Sequence, residues 1–154
     1  MTKILLSVHV LVAILTVGPV AVASSRFAPA LRRAAAAPGD SAAAASLHTL
    51  YRICRVYALI GIAVPVFGFA TAGAMHVTGD AWVLVSIGLT AVAAGVLALL
   101  VLPRQRTALA ELAAQAPIGP STGARIAMAT GVFNLLWVAV TVLMIVRPGS
   151  STGA

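Results

Sequence analysis

Four stretches of the chain, residues 4–23, 56–75, 81–102 and 126–146, contain no Asp, Glu, Lys or Arg. A helix of about twenty residues rises about 30 Å, the thickness of a bilayer's hydrocarbon core. Each stretch is apolar on every side rather than along one stripe, the pattern of a helix whose solvent is lipid. Composition closes off the soluble alternative. Of 154 residues 61% are hydrophobic and 8% charged, against roughly a quarter charged in an ordinary soluble domain. A small soluble domain leaves much of its surface in water and has nowhere to hide so much apolar area. The sequence therefore predicts an all-α, four-helix transmembrane bundle forming a single integral membrane domain over residues 1–154.

The charges that remain set the orientation. Residues 24–55 carry Arg26, Arg32, Arg33, Arg52 and Arg55, and residues 103–125 carry Arg104, Arg106 and Arg125. The short turn between the second and third stretches holds His76 and Asp80 but no Lys or Arg, and the ends hold Lys3 and Arg147. Eight of the ten basic residues thus fall in two connections on one side. The positive-inside rule makes those connections, 24–55 and 103–125, cytoplasmic loops and both termini extracytoplasmic. Four crossings require the termini to share a side, so the assignment is self-consistent. The net charge of +7 would suggest nucleic acid in a soluble protein. Here it belongs to membrane orientation, and the expected partner is the lipid bilayer, with no nucleic acid. One competing reading starts from Lys3, an apolar run and then Ala21-Val22-Ala23-Ser24, which resembles a secretory signal peptide with a small-residue cleavage site. The run is long enough to span, and five arginines follow it against one lysine before it. That bias favours retention.

The connections have local signals of their own. Residues 25–37 are alanine-rich, and Ala is the best helix former, so the first helix can continue past its crossing, with Pro29 bending or breaking it. Pro38-Gly39-Asp40 is a turn signal, after which Asp40 or Ser41 can cap a helix that feeds the second crossing. His48, Arg52 and Arg55 then share one helix face, a surface for lipid headgroups or a docking partner. Tyr51 and Tyr57 lie where aromatic rings favour the membrane interface. Residues 104–115 have helical composition, Pro117, Gly119, Pro120 and Gly123 interrupt it, and Ser121 or Thr122 is a plausible cap for the fourth helix. The segment Pro148-Gly149-Ser150-Ser151 reads as a polar tail.

Within the crossings, small residues mark contact faces, because helices in lipid associate by close packing. Ala58, Gly61, Pro65, Gly68 and Ala72 recur at three and four in the second, and Pro65 is expected to kink it. Ala91 and Gly95, and Ala127 and Gly131, offer similar faces in the third and fourth. No carboxylate lies within any crossing: Asp40, Asp80 and Glu111 are all outside them. A cation-coupled transporter ordinarily holds one as a fixed countercharge. No phosphate-binding Gly-rich loop, Ser/His/Asp set or repeated Cys/His metal motif is visible. Cys54 reads as a small apolar residue. Two polar side chains stand out. Asn134 reads as interhelical hydrogen-bond glue. His9 is an ionisable residue inside a crossing, a functional suspect by default. With His76 at the same end it forms a candidate cofactor site, since neutral imidazoles ligate haem iron or copper. The alternative is a His9 hydrogen-bonded to a neighbouring helix carbonyl or to Ser86, and a solvated His76.

His9 in the first helix, Ala13 four residues on, Gly18 near its far end and the basic connection after it resemble a group of bacterial four-helix integral membrane proteins of unknown function and about this length. A more distant likeness is to membrane domains of the copper-resistance D type, whose first helix also carries a histidine. Those often place an aromatic residue before the glycine, where this chain has Thr16 and Val17 ahead of Gly18. The likeness carries over His9 alone, as a possible ligand for haem b or copper. The Ala- and Arg-rich, Lys-poor composition resembles that of a high-GC bacterium and implies a bacterial cytoplasmic-membrane location. Three functions are compatible with this reading. The leading one is a non-enzymatic accessory or scaffold subunit, acting through helix packing with a membrane-protein partner or a second copy of itself and needing no cofactor. The second is a haem- or metal-binding redox protein. The third is a channel or exporter of a small solute, which requires Thr16, Thr71, Ser86, Thr90, Thr130, Asn134 and Thr141 to converge on a polar lumen.

Overall fold

The computed structural model describes residues 2–149; the rest of the polar tail, Ser150 and Ser151 included, lies outside the described residues. The described chain is helical, in the order α1 (Thr2–Ala36), α2 (Ser41–Ile60), α3 (Ala63–Ala74), α4 (Ala81–Gly95), a π-helical turn (Val96–Val101), α5 (Leu102–Ala113) and α6 (Pro120–Val146). These make four rods long and apolar enough to cross a membrane: Thr2–Ala36, Ser41–Ala74, Ala81–Ala113 and Pro120–Val146. α1 packs along α2, α3 and α6, and α4 packs along α6.

The arginine-bearing connections 24–55 and 103–125 are mostly helix, as their alanine-rich and helical composition predicts, with a turn at residues 37–40 and a short connection at 114–119. Charge reports where lipid stops, not where the helix stops, and an alanine-rich sequence has no reason to unwind on reaching water. α1 alone rises about 50 Å, well beyond a 30 Å core. Pro29 does not break it. A proline inside a helix removes one hydrogen bond, but Phe27, Ala28 and Leu31 around it are fully buried and hold the helix on both sides. The Ala-Val-Ala-Ser stretch that resembles a cleavage site lies in mid-helix, with Ala23 and Ser24 buried.

Asp40 caps α2, its Oδ1 accepting from the Ala42 and Ala43 amides at 2.9 and 3.1 Å. The expected cap of the fourth crossing is corrected. α6 starts at Pro120 with Gly119 at the N-cap position and no side-chain cap, so neither Ser121 nor Thr122 plays that part. Pro suits the first helical position because its missing N–H has no partner to lose there. Two further prolines, Pro65 and Pro103, reshape rods. Pro65 has no N–H to give the Gly61 carbonyl, which accepts instead from Val64 at 3.0 Å, and the helix breaks at Gly61–Ile62. Ahead of Pro103 the ladder slips to five-residue spacing, with the Leu102 amide bonding to the Leu97 carbonyl. This is the π-bulge expected where the regular bond is missing.

The core has three parts. At the arginine end, Phe27, Leu31, Ala34, Leu47, Ala108, Leu109 and Ile126 pack together from α1, α2, α5 and α6. In the middle, Val20, Ala93, Leu97, Val101, Ala129 and Phe133 form the second cluster. At the opposite end, among the described residues, the cluster is Ala72, Trp82 and Val83, with Met144 against them. There the Arg147 guanidinium lies 5.7 Å from the Trp82 ring, tying the end of α6 to the start of α4.

Candidate functional site

His9 is buried in α1 and faces α3. A methyl group at Gly68 would stand 3.1 Å from its Cε1, 3.6 Å from Nδ1 and 3.8 Å from Nε2. The imidazole therefore closely approaches bare α3 backbone, with Cε1 nearest, and glycine at position 68 makes that approach possible. Its Nδ1 is buried with no hydrogen-bond partner. Of the two partners expected for His9, the ring approaches a neighbouring helix carbonyl, that of Val64 in α3, and not Ser86, whose hydroxyl donates to the Trp82 carbonyl at 2.7 Å.

The structure does not bring His76 to this seat. His76 is exposed and ends α3 in the left-handed conformation, φ 56°, a helix stop more often made by glycine. It stands eight residues past Gly68, about 12 Å along the helix. Among the described residues no group of three or more His, Cys, Asp or Glu is placed to hold a metal ion.

The remaining small-residue positions of the second crossing face inward to different depths. Ala72 is buried in the terminal cluster, and Ala58 packs on the middle one. Gly61 and Pro65 are half-buried at the helix break. Asn134 Nδ2 donates to Ser25 Oγ at 3.2 Å, joining α6 to α1. Its Oδ1 is buried without a partner, as are Thr130 Oγ1 and Trp137 Nε1 on the same face of α6.

Of the hydroxyls that a polar lumen would need, Thr16, Thr71, Ser86 and Thr141 are engaged within their own helices, while Thr130 Oγ1 has no partner. Thr16 donates to the Val12 carbonyl at 2.7 Å, Thr71 to Phe67 at 2.7 Å and Thr141 to Trp137 at 2.8 Å. Thr90 is half-buried.

At the arginine end, α2 turns Leu47, Tyr51 and Cys54 inward and His48, Arg52 and Arg55 outward. Arg32 and Arg33 of α1 and Arg106 of α5 are exposed beside the same core. Tyr51 packs on the arginine-end cluster and Tyr57 on the middle one. One buried polar contact there has no counterpart in the sequence reading: Gln105, fully buried, points Nε2 at Cys54 Sγ, 3.8 Å away, and its Oε1 has no partner. The signal was available in the spacing, since Leu97, Val101, Gln105, Ala108 and Leu109 fall on one helical face.

No protein-family model, curated protein or solved structure matches this chain.

Proposed function

We propose that the chain is a non-enzymatic accessory or scaffold subunit of a membrane assembly in the bacterial cytoplasmic membrane. In this reading the arginine end is cytoplasmic, the termini are extracytoplasmic, and Thr2–Ala36 is retained as the first crossing. The observation that carries the proposal is the arginine-end core. Phe27, Leu31, Leu47 and Ile126 are almost completely buried in helical extensions that α1 alone carries about 20 Å past a bilayer core. A rigid, well-packed platform with Arg32, Arg33, Arg52 and Arg55 exposed on it suits the holding of a partner. Arg52 and Arg55, on one face of α2, form its docking surface. The test is co-purification from native membranes in a mild detergent after cross-linking in cells. A partner or second copy is expected to be captured by the wild-type chain and lost from Arg52→Glu/Arg55→Glu. A chain that stays a lone monomer under both treatments would contradict the reading.

The unpartnered Nδ1 of His9 supports a second reading, a haem- or copper-binding protein related to the copper-resistance D type. It expects a Soret band or stoichiometric copper in the purified chain, abolished by His9→Ala. Colourless, copper-free protein from cells supplied with both would overturn it. The exporter reading has less support, because Thr16, Thr71 and Thr141 bond within their own helices.

A further inference from the structure

Two adjoining clefts of 240 and 210 Å³ lie between α5 and α6, and Arg104 and Arg125 line both. The order of chemistry along them is specific. On α5, Leu100 of the preceding π turn is followed by Arg104, Thr107 and Glu111, at spacings of four, three and four that keep them on one face. On the antiparallel α6, Val132 and Met128 lead to Arg125 and then Thr122. Both walls therefore run from apolar side chains, through a guanidinium, to a hydroxyl, and α5 adds a carboxylate at the far end. The apolar stretch opens toward lipid, with Met128 67% and Val132 44% exposed. Two further features bear on what fits. Thr122 belongs to the first turn of a 27-residue helix, so the positive end of the helix dipole adds to the two guanidiniums. Glu111 lines the polar end of the larger cleft, so its carboxylate offers a countercharge to a cation bound there.

We propose that this cleft is a binding site for one membrane phospholipid with a zwitterionic amine headgroup, of the phosphatidylethanolamine type. The phosphate sits between Arg104 and Arg125 under the first turn of α6, where charge-assisted hydrogen bonds and the helix end favour an anion. The ammonium pairs with the Glu111 carboxylate at the far end, and an acyl chain lies along Leu100, Met128 and Val132. A purely anionic lipid satisfies the arginines but leaves the Glu111 carboxylate without a cation beside added negative charge. The site rests on the chain's crossing of a bilayer and not on the scaffold role, so its failure leaves that role standing.

Native mass spectrometry of the full chain, reconstituted in vesicles of equal phosphatidylethanolamine and phosphatidylglycerol and then released in mild detergent, tests the site. The wild-type chain is expected to retain one phosphatidylethanolamine. Arg104→Gln/Arg125→Gln is expected to lower retention by about tenfold for each guanidinium removed. Glu111→Gln should keep a lipid bound but lose the preference for the amine headgroup. If the double glutamine variant does not fold, Met128→Trp/Val132→Trp fills the apolar part of the cleft and is expected to lower retention equally. Equal retention by a folded cleft variant and wild type would overturn the proposal. So would a wild-type preference for phosphatidylglycerol, or displacement of the lipid by millimolar inorganic phosphate, which would make the site one for a free anion.

Discussion

The two ends of the bundle are built on opposite plans. At the arginine end, large apolar side chains such as Phe27, Leu31, Leu47, Leu109 and Ile126 are inside, and Arg32, Arg33, Arg52, Arg55 and Arg106 are outside. At the terminal end, the buried set includes His9, Thr71 and Ser86 together with Ala72, while Leu11, Ile14, Leu15, Phe69 and Ile145 are exposed. The first plan is that of a protein in water, where burying apolar area drives packing. The second belongs to lipid, which is as apolar as leucine and leaves close approach of small residues and interhelical contacts to hold the helices. Stability should therefore concentrate at the arginine end, and the sites that depend on fine fit at the other.

The largest effect expected from this contrast is in the arginine-end core. Phe27→Ala should cost about 3–5 kcal/mol, whereas Leu135→Ala, at a position 70% exposed to lipid, should stay within about 0.5 kcal/mol. Reversible unfolding in detergent micelles measures both, and equal losses would erase the distinction between the two ends. Next is the His9 seat. Gly68→Val places methyl groups against the imidazole and should cost about 1–3 kcal/mol as an overpacking strain. In a His9→Ala background most of that cost should vanish, and a cost that persists unchanged would detach Gly68 from His9. The Asp40 cap is smaller: Asp40→Ala should lower stability by about 1 kcal/mol, read in the same unfolding assay. Smallest is the Asn134–Ser25 bond between α6 and α1. A double-mutant cycle with Asn134→Leu and Ser25→Ala should give a coupling of about 0.6 kcal/mol; a coupling of several kcal/mol would mean that polar contacts, not apolar packing, hold that level together.

The sequence made the crossings legible because length and the absence of charge are properties of a segment by itself. Asp40 was legible as a cap for the same reason. What it left hidden depended on neighbours. The helical composition of the arginine segments was legible too, but Phe27, Leu31, Leu47 and Ala108 are brought together only once four helices pack, and that packing carries α1 intact past Pro29. His9 was visible as a buried polar residue, but its partner could have been any helix. The small-residue stripe named Gly68 as a contact position without saying that an imidazole lies on it. Gln105 escaped notice because a single amide among arginines looks solvated until the face it shares with Leu97 and Val101 is drawn.

The central claim is that the arginine platform stands in the cytoplasm and the His76 turn on the opposite side. It is tested most directly by labelling single cysteines in intact cells with a membrane-impermeant maleimide, in a Cys54→Ala background. Thr78→Cys, exposed in the turn after α3, should label from outside. Arg106→Cys, exposed on α5, should label only after the cells are opened. Labelling of Arg106→Cys in sealed cells, with Thr78→Cys protected, would contradict the account.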